Sequence, residues 1–161
     1  MTRFHTSTRP VLDDNGNQIG VEQVDVAFTA EEELEWDARE AGAGQLVICG
    51  VWDAIKSERD RRKAGGVLVT GKWFHSDDPS RIQQIGLVMM GANIPPGLQW
   101  KTMDGTFVTM TQALANQIFQ AVAAQDQAIF AKAEQHKAAM EASANPAAYD
   151  FSSGWPPVYG E

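Results

Sequence analysis

Polar and apolar residues alternate in three short segments of this 161-residue chain, and each segment precedes a longer stretch with helical spacing. Alternation is typical of strands, whose successive side chains point to opposite faces, whereas apolar residues three and four apart share one face of a helix. The pattern predicts one plan that occurs three times: strand, turn, strand, capping residue, helix. The predicted fold class is α+β, with short β-hairpins each followed by a helix and one long C-terminal helix.

The first hairpin is predicted at residues 11–12 and 24–28, around the Asp-Asp-Asn-Gly turn of residues 13–16. Asn and Gly tolerate the positive φ angles that tight hairpin turns require. Thr29 and Glu32 then have the spacing of a capping box, in which each side chain accepts the other's backbone N–H. A helix follows from this cap.

This first helix is predicted to end near Ala41, because Gly42 and Gly44 interrupt it. Residues 46–49 are either a short buried strand or the start of another helix. Residues 51–63 are helical, with Trp52 and Ile55 on one face and with Glu58 and Arg62 four residues apart. Gly65 and Gly66 end the helix.

The second hairpin is predicted at residues 67–69 and 72–75, with Thr70 and Gly71 as its turn. Asp77 or Asp78 caps the next helix, and Pro79 occupies its first position, where a missing N–H costs nothing. The apolar stripe of this helix is predicted to be Ile82, Ile85 and Met89.

The third hairpin is predicted at residues 99–101 and 107–108, with a turn at 103–105. Thr109 and Gln112 have capping-box spacing, and the long helix runs from about Thr111 to Ala142. One face of this helix carries Phe119, Val122, Phe130, Ala133 and Met140. That face either packs against the hairpins of the same chain or associates with the helix of another protomer.

The residues predicted to be largely buried are Trp73, Trp100, Phe107, Ile118, Val122 and Ile129. Because strand side chains alternate, one of Trp73 and Phe74 faces the core and the other faces outward. The segment 149–161 contains four aromatic residues among Pro, Gly and Ser and cannot form a core of its own. It therefore docks on the chain's own helix or binds a partner.

Composition and charge narrow the functional classes. The apolar fraction of 43% is sufficient for a core, and the net charge of −8 is distributed over both halves, with 8 basic and 13 acidic residues in 1–65. No basic surplus attracts phosphate, so we expect neither nucleic acid nor an anionic membrane as a partner. The first residues lack the apolar run of a signal peptide and no apolar stretch approaches bilayer length, so we expect neither a signal peptide nor a membrane span. The one cysteine, Cys49, is expected to be a small buried side chain.

No constellation of residues predicts catalysis. The spacing of His75, Asp77 and Asp78 matches no strong metal pattern, and residues 13–16 lack the glutamate that closes a calcium loop. His136 is expected to lie on the surface of the long helix. Nucleophile elbows, phosphate loops and dinucleotide fingerprints are absent. We therefore assign no catalytic, cofactor-binding or metal-binding residue, and we expect a protein that is not an enzyme and that needs no cofactor.

Four stretches carry a resemblance to a known family: AGGVLV at 64–69, WFHSDDPSRI at 73–82, WKTMDGTFVT at 100–109 and AYDFSSGWP at 148–156. Over about residues 55–156 this series resembles a domain of unknown function from bacteriophage and prophage tail-fibre, tail-tip and tail-fibre-assembly proteins. That family has no agreed catalytic residues. The resemblance implies a setting, the tail of a virus particle, and no particular reaction.

The resemblance also implies an organisation. We expect a hairpin-plus-helix attachment region at 1–50, a connecting helix at 51–66, a phage-tail-type α+β domain at 67–148 and an aromatic tail at 149–161. The expected function is that of a structural or adsorption protein of the tail fibre or tail tip. Alternatives are a tail-fibre assembly chaperone and, less favoured, a small enzyme that acts on surface glycans.

The partners implied are other phage tail proteins, further copies of the chain in a homo-oligomer with a trimer favoured, and a host cell-surface receptor. The protein would lie in the host cytoplasm during assembly and then in the virion tail. The residues expected to bind partners are Phe119, Phe130, Met140, Phe151, Trp155 and Tyr159.

Overall fold

The computed structural model describes residues 3–161 and confirms the α+β class. In this part of the chain, three antiparallel hairpins are each followed by a helix, as the pattern predicts, but the separate helix predicted at 51–63 is part of the first helix. The elements are β1 (Phe4–Leu12), β2 (Gln18–Ala27), α1 (Ala30–Lys63), β3 (Val67–Val69), β4 (Lys72–Phe74), α2 (Asp78–Met90), β5 (Gln99–Lys101), β6 (Phe107–Thr109) and α3 (Gln112–Glu141). Two short 3-10 helices lie at Gly91–Asn93 and Pro146–Ala148.

The chain divides into two compact units, Met1–Leu46 and Val47–Glu161. We call them the N-terminal unit and the C-terminal unit. The N-terminal unit consists of the β1–β2 hairpin and the first half of α1. The C-terminal unit contains the second half of α1 and all later elements.

The β1–β2 hairpin is longer than the sequence predicted. Its register pairs Phe4 with Ala27 and shifts between Val11 and Leu12. The Asp13 carboxylate accepts the backbone N–H groups of Asn15 (2.9 Å) and Asn17 (2.8 Å), which closes the turn and lowers the pKa of Asp13. The interpretation of this segment as a polar turn is confirmed.

Helix α1 is capped as predicted and is held to the hairpin by charge. The Thr29 N–H donates to the Glu32 carboxylate (2.8 Å), and the Glu32 N–H donates to the Thr29 hydroxyl (3.3 Å). The Arg3 guanidinium donates to Glu33 (2.7 Å) and Asp37 (2.7 Å). These carboxylates, Asp37 foremost, raise the pKa of Arg3.

The predicted helix end near Ala41 is wrong. A single helix of 34 residues continues through Gly42 and Gly44 to Lys63. A glycine inside a helix costs about 1 kcal/mol relative to alanine, which disfavours the helix without forbidding it. Residues 46–49 are helical rather than extended, and Cys49 is exposed rather than buried.

The C-terminal unit has a main core between α3, α2 and the β3–β4 hairpin. Its buried side chains are Val67, Val69, Phe74, Leu87, Met110, Ala115, Ile118 and Val122. Phe74 points into this core and is fully buried, whereas the Trp73 ring lies outside it, 6.1 Å from the Tyr159 ring. The prediction that one of these two residues faces the core and the other faces outward is confirmed.

Several predicted core positions are wrong. Phe107 is 62% exposed, and Trp73 and Trp100 are only partly buried. In α2, the predicted stripe is exposed at all three positions, Ile82, Ile85 and Met89, and the buried positions are Gln84 and Leu87. Gln84 can be buried because its side-chain amide donates to the His75 carbonyl oxygen (2.7 Å), so its polar group is satisfied.

Both helices that begin in the C-terminal unit start at a capping side chain. The cap of α2 is Asp77, one of the two residues predicted for this role, and it accepts the Ser80 N–H (3.0 Å). Thr111, rather than the predicted Thr109, caps α3 by accepting the Leu114 N–H (3.1 Å). Thr109 belongs to β6, which extends one residue further than expected.

The buried face of α3 generates a stability prediction. Ile118 and Ile129 are fully buried, so replacing either by Ala should lower the free energy of unfolding by about 2–5 kcal/mol. Urea unfolding monitored by circular dichroism measures this loss. Ile82→Ala is the matched control, because Ile82 is 70% exposed and should change stability by less than about 0.5 kcal/mol. Equal losses at all three positions would contradict the assigned core.

Candidate partner-binding surfaces

The residues expected to bind partners separate into distinct environments. Met140 is fully buried inside the chain's own core and presents no surface to a partner. Phe151 and Trp155 pack against that same core, which Ile55 and Ala133 share. Phe119, Phe130 and Tyr159 stay 41–45% exposed.

His136 anchors the C-terminal segment to α3 and is buried, contrary to the expected surface position. Its Nε2 lies 3.1 Å from the Ser153 carbonyl oxygen, and its Nδ1 lies 2.9 Å from the Tyr149 hydroxyl. A carbonyl oxygen can only accept, so Nε2 carries the proton and Nδ1 accepts from Tyr149. The Trp155 ring stacks at a tilt, 5.1 Å from the imidazole.

Arg62, near the end of α1, binds the last residues of the same C-terminal segment. Its guanidinium donates to Glu58 (2.5 Å), to the Pro156 carbonyl oxygen (3.1 Å) and to the Glu161 carboxylate (2.9 Å). Arg61 also donates to Glu161 and lowers the pKa of that carboxyl, with Arg62 contributing. The prediction that residues 149–161 contact the body is confirmed: Phe151 and Trp155 pack against the chain's own core, and Val158 is buried.

A polar depression of about 520 Å³ lies at the start of α2, among Asp60, Lys63, Ser76, Asp77, Asp78 and Arg81. Its members already have structural partners. Arg81 donates to Asp126 on α3 (2.5 Å) and to the Lys63 carbonyl oxygen at the end of α1 (2.9 Å). Asp126 raises the pKa of Arg81, and the Ser80 N–H lowers the pKa of Asp77, so both groups stay charged near neutral pH. Neither group suits proton transfer.

Within residues 3–161, no group of three or more His, Cys, Asp and Glu side chains could hold a metal ion. The helices of that range include none long and apolar enough to cross a membrane.

One apolar surface lies on α2, on the side that faces away from α3. Arg81 meets Asp126 at one end of the helix pair, and Gly91 lies near Gln112 at the other, so the two helices run antiparallel. The side of α2 that carries the buried Leu87 packs toward α3, so Ile82, Ile85 and Met89 lie on the opposite, exposed side. We call Ile82, Ile85 and Met89 the α2 surface; Met89 is 83% exposed.

The N-terminal unit is the second apolar surface. None of its described residues, 3–46, is buried. Large apolar side chains are nevertheless frequent in it and exposed: Phe4, Leu12, Ile19, Val21, Leu34 and Leu46. Two strands and one helix do not enclose a core here: Phe28 packs on the Trp36 ring (5.8 Å), and the six side chains above stay exposed to solvent.

Comparison with known families matches residues 50–153 to the family described as Domain of unknown function (DUF4376). The chain belongs to this family. The DUF4376 match covers most of the C-terminal unit, close to the extent of the resemblance found from sequence motifs. No curated protein and no solved structure matches the chain. The N-terminal unit therefore lies entirely outside the residues matched to DUF4376.

The buried imidazole generates a pH prediction. Burial, followed by the nearby Lys132 charge, lowers the pKa of His136 from 6.5, while the Ser153 hydrogen bond and Asp150 act in the opposite direction. The unfolded chain therefore binds a proton more readily than the folded chain. The stabilisation is complete above pH 6.5 and is lost as the pH falls through the folded pKa. Urea unfolding at pH 7.5 and pH 5.0 should show a smaller pH-dependent loss for His136→Gln than for the wild type; identical losses would contradict this account.

The contacts of the C-terminal segment generate a second prediction. Deleting residues 149–161 removes the buried Val158 together with the Trp155 and Phe151 contacts. The thermal midpoint should fall by about 10 °C or more, since several kcal/mol of packing are lost. Scanning calorimetry measures the change. An unchanged midpoint would show that the segment is not part of the fold.

Proposed function

We propose that the protein is a structural, non-enzymatic component of the tail of a tailed bacteriophage and acts by binding other tail proteins. The phage setting comes from the sequence resemblance. The action by binding is supported above all by one observation: the described N-terminal unit has no buried residue and exposes many large apolar side chains.

An isolated two-stranded hairpin is marginally stable in water. The N-terminal unit adds only half of one helix to such a hairpin. Exposed apolar side chains in this number gain their burial from a second surface, which is typical of an attachment region. The proposed role of the N-terminal unit is therefore to attach the DUF4376 domain to a partner.

The proposal includes a homo-oligomer, with a trimer favoured by the resemblance to phage fibres, and a second copy of the chain as the occupant of the α2 surface. Charge supports this assignment. Residues 47–161 contain 10 Lys and Arg and 11 Asp and Glu, a net charge of −1, so copies of the C-terminal unit repel one another little. Contact with a host receptor and residence in the virion tail belong to the same proposal.

Light scattering on the purified protein tests the self-association. The wild type should contain more than one chain per particle, and Ile82→Asp should dissociate it because a charge in an apolar interface is costly. Gln83→Asp is the matched control, since the neighbouring side chain is exposed and polar and gains the same charge. A monomeric wild type, or equal dissociation by both variants, would overturn the α2 surface as an interface.

Quantitative mass spectrometry of purified phage particles tests the setting. A structural component should be present at a fixed ratio to the other tail proteins. Detection during assembly and loss from finished particles would instead establish the chaperone alternative. Absence at both stages would overturn the phage proposal.

A further inference from the structure

The β1–β2 hairpin has two long strands and no third strand beside them. Among the described residues its sheet contains only these two strands, so each strand has one edge that no other strand pairs. Helix α1 reaches the hairpin at the end away from its turn, where Arg3, His5 and Phe28 contact it. Nine of the ten residues of β2 are exposed, and Val24 is half-buried. The outer edge of β2 is therefore accessible.

The register shows which backbone groups point away from the hairpin. The Phe28 N–H donates to the Arg3 carbonyl oxygen (2.9 Å), so Arg3 and Phe28 form a hydrogen-bonded pair. Hydrogen-bonded and non-hydrogen-bonded pairs alternate along an antiparallel ladder, and the register continues without a shift from this pair to Val11. Residues of the non-hydrogen-bonded pairs direct their N–H and C=O groups outward: Thr6 with Asp25, Thr8 with Gln23, and Pro10 with Val21.

The two edges of the hairpin differ at Pro10. This residue belongs to a non-hydrogen-bonded pair, so its nitrogen faces outward on β1 and has no N–H to donate to another strand. Proline on an edge strand is a common protection against pairing with another chain. On β2, Val21, Gln23 and Asp25 keep outward N–H groups, which have no backbone partner among the described residues. We call the outward backbone groups of these three residues the β2 edge.

Strand β2 carries little uncompensated charge. Residues 1–46 contain 3 Lys and Arg and 10 Asp and Glu, a net charge of −7, which opposes self-association of the unit as a whole. Only two of these acidic residues, Glu22 and Asp25, belong to β2. Glu22 accepts from the Arg9 guanidinium, and Asp25 accepts from the Thr6 hydroxyl (3.4 Å). One uncompensated carboxylate, that of Asp25, therefore remains on the strand.

The order of residues in β2 allows two copies of the strand to meet without opposing like charges. An antiparallel pairing about a two-fold axis at Gln23 places Glu22 opposite Val24 of the second copy and Asp25 opposite Val21. The two Asp25 residues are then four positions apart along the strands, about 13 Å. This separation exceeds the Debye length at physiological ionic strength, about 8 Å, so their repulsion is largely screened.

We propose that the β2 edge pairs antiparallel with the β2 edge of a second copy, about a two-fold axis at Gln23. Two-fold symmetry is the commonest symmetry of homo-oligomers, and here it joins the two unprotected edges while both edges that carry Pro10 stay outside. The pairing converts two marginally stable hairpins into one four-stranded sheet. Main-chain hydrogen bonds supply the affinity, as in other cases of strand addition. The inference rests on the proposed function, because it names a partner of the proposed attachment region.

Cysteine variants test the position of the axis. Gln23 would face its own counterpart in a hydrogen-bonded pair, with Cα atoms about 5.5 Å apart, a separation that suits a disulfide. In the full chain with Cys49→Ser, which removes the native thiol, Gln23→Cys should form covalent pairs under mild oxidation on a non-reducing gel. Thr8→Cys is the matched control and should stay unlinked, because Thr8 is exposed and faces Gln23 from the β1 edge. Equal cross-linking of both variants, or none in Gln23→Cys, overturns the inference.

Proline variants test the backbone hydrogen bonds. Gln23→Pro removes an outward N–H and leaves the bonds inside the hairpin intact, because Gln23 lies in a non-hydrogen-bonded pair. Thr8→Pro puts proline into the same pair on the β1 edge. In an Ile82→Asp background, which disrupts the α2 surface, light scattering should show two chains per particle, a single chain after Gln23→Pro, and two after Thr8→Pro. A single chain before either proline is added, or the same result for both prolines, contradicts the proposed pairing.

A strand of a different tail protein is the competing occupant. If Gln23→Pro prevents incorporation into phage particles while the purified Gln23→Cys chain forms no covalent pairs, the β2 edge binds another protein and the inference fails. Failure of the proposed function is separate, because it is measured by the presence of the protein in phage particles. A protein that is found in particles and does not cross-link at Gln23→Cys loses only the inference made here.

Discussion

The C-terminal unit depends on one buried face of α3. The strands of β3–β4 and β5–β6 are three residues long, too short to be stable as isolated hairpins. They persist because Ala115, Ile118 and Val122 of α3 provide a surface that packs with both hairpins and α2. Further along the same helix, Ala133 and Met140 do the same for α1 and the C-terminal segment. Two separate clusters are thus supported by one helix.

The elements of this fold could be predicted because their signals are local. Turn glycines, capping residues and prolines define where each hairpin and helix begins, and the third helix was placed within one residue of its ends. The errors concern what covers each element. The stripe of Ile82, Ile85 and Met89 has helical spacing, yet α3 packs on the other side of α2, where Leu87 is buried. Periodicity shows which residues share one face of a helix, but it does not show which element packs against that face.

The candidate surfaces were predictable only in part. The aromatic segment was expected to dock, but its anchors were missed, because Arg62 and Glu161 are 99 residues apart and His136 meets Ser153 across an intervening turn. No local pattern connects such residues. The sequence alone did not show that the net negative charge belongs to one structural unit. Dividing the chain at residue 65 places negative charge in both halves, whereas the structural boundary after Leu46 places nearly all of it in the first unit.

The position of α3 after both short hairpins and α2 has a consequence for biosynthesis. The ribosome delivers both short hairpins and α2 before it delivers the helix on which they pack. Until residues 112–140 have left the exit tunnel, the side chains of Phe74 and Leu87 have no core to enter. Packing of these elements therefore waits for the delivery of α3. Until then the nascent chain exposes their apolar residues, which is the interval in which cellular chaperones act.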